Sequence, residues 1–224
     1  MLLVEDNQEL RTFLRTIFSP VYRVIEAVDG MDGWSKALKF VPDIIISDVM
    51  MPEKDGIEMT KELRADMTTS HIPIVLLTAK TSIESKLEGL EYGADDYITK
   101  PFSATYLKAR VENLLAQRHK LQSFYRDNLM NSVLSSTAVS EEVVLEEEKL
   151  PEMSPNDRKF MDKLIELMEK NMDNGDLVVD DLVREVAVSR SVFFKKLKTL
   201  TGLAPIEFIK EHAYQSCRPI NRNR

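Results

Sequence analysis

A single cysteine, Cys217, in 224 residues leaves no partner for an intramolecular disulfide and fits a reducing compartment. Three scattered histidines, with that one cysteine, offer no ligand spacing of the zinc type. No apolar run approaches the length needed to cross a bilayer. A secretory leader is not expected either, because Met1-Leu2-Leu3-Val4 meets Glu5-Asp6 too soon. Together these absences predict a cytoplasmic protein without membrane contact.

What is present suits one large or two small domains: 43% of residues are hydrophobic and 30% are charged. The net charge of −7 is unevenly spread. Residues 1–115 hold 13 basic against 19 acidic side chains, and residues 116–153 hold 4 against 7. Residues 154–224 reverse the sign, with 13 against 11, and the window 184–210 alone reaches 6 against 2. An acidic front and a locally basic back point to two domains with different partners.

The front half alternates short apolar runs with helical patterns. Strands are predicted at 2–4, 22–27, 44–47, 74–77 and 96–98. Helices are predicted from Asn7 as cap through Leu10, Phe13, Leu14 and Ile17, then at 33–40, 57–65, 83–92 and 104–121. Trp34 reads as packing on a helix face. Five strands alternating with five helices predict an α/β fold with a doubly wound parallel sheet, and right-handed crossovers put helices on both faces.

The carboxyl ends of parallel strands share one rim, where open α/β sheets bind ligands. Glu5 and Asp6 follow the first strand, Asp48 ends the third, Thr78 the fourth, and Lys100 follows the fifth. Taken alone, Asp48 reads as the start of a turn, but together these residues place three carboxylates, a hydroxyl and an ammonium at one edge. Clustered carboxylates repel unless a cation sits among them, and a hard divalent ion such as Mg²⁺ suits a few carboxylates plus a phosphate. Asp48 is then a nucleophile for phosphoryl transfer, with Lys100 and Thr78 as charge and hydroxyl donors to the phosphoryl oxygens.

The segments Val4-Glu5-Asp6-Asn7, Ser47-Asp48-Val49-Met50-Met51-Pro52 with Asp55-Gly56, Leu77-Thr78-Ala79 and Lys100-Pro101-Phe102 resemble the receiver domain of bacterial response regulators. The resemblance covers residues 1–120 and implies a flavodoxin-like sheet. It implies that Glu5, Asp6, Asp48 and the backbone carbonyl of Met50 hold Mg²⁺, and that Asp48 accepts a phosphoryl group from a histidine kinase. It further implies that Thr78 turns toward the phosphate, that Tyr97 follows, and that a homodimer forms through the helix at 83–92, the fifth strand and the last helix. A cis peptide before Pro101 is implied in the same way. The eleven methionines read as core filler, Met50 excepted, and His119 as a solvated histidine.

Residues 121–153 read as a helical extension and an acidic linker; apolar positions among polar ones through Leu134 could pair with a second copy, and 141–152 are rich in glutamate. Residues 154–213 then read as a smaller all-α domain. Ser154-Pro155-Asn156-Asp157 starts a helix carrying Phe160, Leu164, Leu167 and Met168. A short helix with Leu182, Val183 and Val186 follows. After a tight turn at Ala187-Val188, Ser189 caps a helix with Phe193, Leu197 and Leu200 on one side and Ser191, Lys195 and Lys198 on the other. Gly202 stops it, and Pro205 opens another helix.

Periodicity alone is equally met by a plain helical hairpin with a solvated lysine face. The segments 182–187, Ser189-Arg190-Ser191, Phe193, Lys195, Leu197-Lys198, Thr201-Gly202 and 205–208 nevertheless resemble the first helix-turn-helix of AraC/XylS-type regulators. This implies a recognition helix over 190–198, with Arg190, Ser191, Phe194 and Lys195 toward bases and Lys196 and Lys198 toward phosphates. That family carries two such units. Here residues 214–224 form a short basic tail without periodicity, so the expectation is a truncation, a frameshifted end or a fragment of a larger regulator. The arrangement is similar to hybrid two-component sensors, whose kinase would lie upstream.

The sequence therefore predicts a phosphorylation-controlled transcription regulator whose receiver catalyses only its own phosphorylation and dephosphorylation. In this form, DNA binding is expected to be weak. One alternative is a receiver acting as a protein-interaction module without DNA binding. A haloacid-dehalogenase-like phosphohydrolase would need an acid two residues after the nucleophile, where Met50 stands.

Overall fold

The computed structural model describes residues 1–79, 92–131, 154–171 and 178–216. The chain divides into two units, Met1–Ala116 and Gln117–Arg224. Residues 83–91 of the predicted helix, the acidic stretch 141–152 and Cys217 lie outside the described residues.

In the first unit the strands are β1 (Leu2–Val4), β2 (Ile25–Ala27), β3 (Ile45–Asp48), β4 (Ile74–Thr78) and β5 (Asp96–Thr99). The helices are α1 (Gln8–Phe18), α2 (Gly30–Phe40), α3 (Gly56–Ala65) and α4 (Ala104–Asn131). The strands form one five-stranded parallel sheet in the order β2-β1-β3-β4-β5. Register aligns Leu3 with Ile46 and Ile46 with Val75, so these side chains share a face with Leu77 and Ile98 and pack against Leu14 and Phe18 of α1 and Leu107 and Val111 of α4. The alternate set, Leu2, Val4, Ile45, Ile74 and Leu76, packs on the other face against Ala37 of α2 and Met59 and Leu63 of α3. Both faces are dry, which is why these strands read as unbroken apolar runs rather than as alternation. Each such fully buried Leu or Ile contributes about 1.5–3 kcal/mol, so the sheet is a rigid base for its rim.

Local signals set most element ends. Asn7 Oδ1 accepts from the Leu10 N–H at 2.9 Å and caps α1. Two boundaries here move by three residues, and in the second unit the last helix runs to Ser216 where a tail from 214 is expected. The predicted second strand shrinks to Ile25–Ala27 because the Tyr22 N–H still closes the turn after α1 on Phe18 O at 2.9 Å. Helix α2 starts at Gly30 instead of Gly33, because Asp29 caps it through the Asp32 N–H at 2.8 Å. Trp34 is half-buried, with the Lys54 ammonium 5.3 Å from its ring centroid.

The second unit holds, after the end of α4, α5 (Pro155–Lys170), α6 (Val179–Val186), α7 (Arg190–Thr201) and α8 (Pro205–Ser216). Its core joins Phe160, Leu164 and Met168 of α5, Leu182 and Val186 of α6, Phe193, Leu197 and Leu200 of α7, and Phe208 of α8. The rings of Phe160 and Phe193 meet with centroids 6.0 Å apart. Between α6 and α7, Ala187 takes a left-handed conformation with φ 57°. Ser189 caps α7 through the Val192 N–H, and Gly202 ends it at φ 76°.

Lys196 departs from its expected place. The sequence resemblance implies a phosphate contact, yet Lys196 is 0% exposed, with Nζ 2.7 Å from the buried Asp157 carboxylate and 5.2 Å from the Phe160 ring centroid. Burying an ammonium requires a paired carboxylate, and that pairing removes Lys196 from any nucleic-acid surface.

Candidate functional site

The site is built where four strands end. Glu5 follows β1 and is 1% exposed, Asp48 is the last residue of β3 and 7% exposed, and Asp6 is exposed. One carboxylate oxygen from each lies within 4.8 Å of the others. At that separation, two full charges repel by roughly 3 kcal/mol at an effective dielectric of about 20. Lys100 offsets part of this, with Nζ 2.8 Å from Asp48 Oδ2 and 3.0 Å from Glu5 Oε2. Burial, reinforced by the Asp48 charge, raises the Glu5 pKa above its ordinary value against the pull of Lys100. For Lys100, burial opposes the charged form, but hydrogen bonds and attraction from Asp48 and Glu5 outweigh it and raise its pKa.

The Asp48 carboxylate is aimed by its own backbone. Oδ1 accepts from the Val49 N–H at 2.8 Å, which leaves Oδ2 toward Lys100. Gly56 lets the loop after β3 close against this segment. Its N–H donates to Val49 O at 2.9 Å, and a Cβ there would stand 2.1 Å from Asp48 O. Thr78 ends β4 fully buried, and its carbonyl accepts from the Lys100 N–H at 2.6 Å, tying the two residues together. The Lys100–Pro101 peptide is cis. The Met50 side chain is exposed, beside the Asp48 segment, and Tyr97 on β5 is half-buried against the core face shared with α2 and α3.

The donor set fits a hard divalent cation. Three carboxylates and one ammonium leave two formal negative charges in a pocket of oxygen ligands. Among the described residues no other group of His, Cys, Asp or Glu meets the same criterion for holding a metal.

In the second unit the predicted contact residues separate. Arg190, Ser191, Lys195 and Lys198 are exposed on α7, Phe194 is half-buried, and Lys196 is buried. Arg190 pairs with Asp180 of α6 and lies 5.2 Å from the Phe194 ring centroid. The sequence marks Asp157 only as part of a helix start, and its pairing with Lys196 is revealed only by the packing of α5 on α7. One signal for Lys196 was available: it stands three residues after Phe193 and one before Leu197, on the apolar stripe. Nor was a role seen for Arg11, beside Glu5 and Asp6; no local pattern marks it.

No described helix is long and apolar enough to cross a membrane. The response regulator receiver domain family matches residues 1–112. Over 94% of its length the chain is 36% identical to histidine kinase P4 of Formosa agariphila, of which it covers 14%. It is 41% identical over 53% of its length to the response regulator ArlR of Staphylococcus aureus, of which it covers 53%. The chain thus spans about half, or far less, of these relatives. A response regulator receiver domain from Clostridium thermocellum superposes with a TM-score of 0.50 at 20% identity, covering 54% of this chain and 96% of that one, which shows the fold. With a parallel sheet carrying an acidic rim and a family match over residues 1–112, the chain belongs to the response regulator receiver family of two-component systems.

Proposed function

We propose that Asp48 accepts a phosphoryl group from a histidine kinase and that the helical unit converts this event into control of transcription. The observation that carries the first half is the convergence of Glu5, Asp6 and Asp48 beneath Lys100. Glu5, Asp6, Asp48 and the Met50 carbonyl would hold Mg²⁺, which when bound supplies the charge that neutralises the cluster and polarises the phosphoryl oxygens. A carboxylate oxygen of Asp48 attacks the phosphorus, an O–P bond forms, and the P–N bond to the donor imidazole breaks with its electron pair leaving on nitrogen. Lys100 holds a phosphoryl oxygen, and the Thr78 hydroxyl donates to another. The movement of Thr78, followed by Tyr97, alters the surface carrying β5 and drives homodimerisation.

The match over 94% of the chain to a protein named histidine kinase supports a hybrid sensor in which kinase, receiver and helical unit share one polypeptide. The AraC-type reading of the second unit rests on the α6–α7 pair, its left-handed turn at Ala187 and the exposed Arg190, Ser191, Lys195 and Lys198.

Incubation with acetyl phosphate and Mg²⁺ tests the first half. Mass spectrometry is expected to find one phosphoryl group on the peptide containing Asp48, absent when EDTA removes the ion; a label on any other peptide refutes the assignment. For DNA, binding by the chain is expected to be weak and shallow in its salt dependence. With a second helix-turn-helix unit restored, Lys195→Ala and Lys198→Ala should each weaken binding and flatten its salt dependence, with Lys195→Ala also relaxing sequence preference. Fluorescence anisotropy with labelled duplexes at several salt concentrations reads both. Identical slopes for wild type and variants would remove α7 from the DNA surface.

A further inference from the structure

Glu5 and Asp6 are consecutive, and consecutive side chains on a strand point to opposite faces. Leu3 and Val4 obey this rule, one in each core face. One carboxylate oxygen of Glu5 nevertheless lies within 4.8 Å of one of Asp6. The two can approach only because the chain leaves β1 after Val4 and turns. That turn takes the backbone carbonyls of residues 5 and 6 out of the sheet ladder, where they need other donors. The Glu5 N–H still pairs with Ala27 O at 3.1 Å. Both carbonyls are met from α1 by one side chain: Arg11 Nη1 donates to Glu5 O at 2.7 Å and lies 3.3 Å from Asp6 O. The Arg11 side chain is 15% exposed, and its Nε lies 3.6 Å from the Glu26 carboxylate on β2, a residue that also pairs with Arg15 at 3.0 Å. Its guanidinium is thus anchored on β2 while it holds the turn.

We infer that Arg11 is the positioning residue of the acidic cluster: by holding the Glu5 and Asp6 carbonyls it turns both carboxylates toward one cation and thereby sets the cation affinity of the site. This rests on the reading of the cluster as a divalent-cation site. Arg11 touches neither the cation nor the phosphoryl group; it acts through the backbone, as hydrogen-bonding partners behind metal ligands do elsewhere.

Mn²⁺ serves as the probe, because electron paramagnetic resonance counts the free ion without any reaction taking place. In the full chain, Arg11→Ala is expected to weaken Mn²⁺ binding about tenfold, at the lower end of the effect of losing such a partner. Arg11→Lys should recover only part of this, since an ammonium is a point donor without the planar fork. Glu26→Gln, which leaves the donors to both carbonyls in place, should stay within about twofold of wild type because exposed or half-exposed ion pairs contribute little. Rates of labelling by acetyl phosphate should follow the same split: Arg11→Ala needs more Mg²⁺ for half-maximal labelling but reaches a near wild-type plateau. Thermal melting checks that each variant is folded, and Arg11→Lys decides the matter if Arg11→Ala is not. Unchanged Mn²⁺ affinity in the folded Arg11 variants overturns the inference while leaving the cation site standing. Equal weakening by Glu26→Gln overturns it too, because the role is then support of the α1–β2 contact. If wild type and Asp48→Asn bind Mn²⁺ equally poorly, the cation reading and the inference fall together.

Discussion

Replacing Asp48 by asparagine is expected to reduce Mg²⁺-dependent labelling by acetyl phosphate to background while leaving the fold intact. The asparagine Oδ1 can keep the Val49 N–H bond that Asp48 Oδ1 makes at 2.8 Å. Its amide nitrogen would then face the Lys100 ammonium, which now lies 2.8 Å from Asp48 Oδ2, so a donor meets a donor. The variant loses the nucleophile and one of the three negative charges that draw a cation. Lys100→Met tests the ammonium instead. It keeps the nucleophile but strips the fixed positive charge from Asp48 and Glu5, and labelling should slow by about 10²–10³-fold, as expected for loss of one preorganised charge-stabilising group. Phosphate incorporation followed over time by intact-mass measurement distinguishes no reaction from slow reaction. An Asp48→Asn chain that still takes up phosphate at the wild-type rate would place the acceptor elsewhere.

The second large effect concerns stability and lies in the other unit. Lys196→Ala leaves the Asp157 carboxylate buried without the ammonium now 2.7 Å away, and removes that ammonium from the Phe160 ring, whose centroid is 5.2 Å from it. Breaking one side of a buried pair costs about 3–5 kcal/mol, enough to unfold a small helical unit at ordinary temperature. Replacing both partners by apolar residues, Lys196→Met with Asp157→Leu, should recover most of that loss, because no unpaired charge remains. Urea melts followed by circular dichroism read the difference, and acetyl phosphate labelling at Asp48 should be unaffected in both variants. A Lys196→Ala chain as stable as wild type would mean that the pair is solvated in solution. The same reasoning governs the DNA experiment: a Lys196 variant that loses DNA binding reports on folding rather than on a phosphate contact.

Much of the receiver unit was legible because its signals are local and repeated. Short apolar runs, at 44–46 and at 74–77, mark the buried strands β3 and β4, Asn7 caps α1, and the residues that end the strands fall on one rim once the strands are parallel. Two boundaries were misread where local signals compete. At Asp29 the cap lies earlier than the helical stripe suggests, and between Tyr22 and Val24 the residues favour a strand although the backbone still belongs to the turn after α1. In the helical unit, Ser189 and Gly202 delimit α7 as expected. The charge of Lys196 suggests an exposed contact, but its position on the stripe with Phe193 and Leu197 points inward, and Asp157 makes that burial possible.

By itself the sequence determined which residues are apolar and at what period, and therefore the five strands, the helices around them and the order in which Glu5, Asp6, Asp48, Thr78 and Lys100 meet the rim. Only the tertiary structure decided what depends on a partner distant in the chain. Lys196 is buried because α5 brings Asp157 to it, Lys100 reaches Glu5 and Asp48 because β5 pairs with β4, which pairs in turn with β3, and Arg11 reaches the carbonyls of Glu5 and Asp6 because the chain turns out of β1. Periodicity sets the side of an element on which a residue lies; whether a charge on that side is exposed, paired or put to use depends on which groups the fold brings within about 3 Å of it.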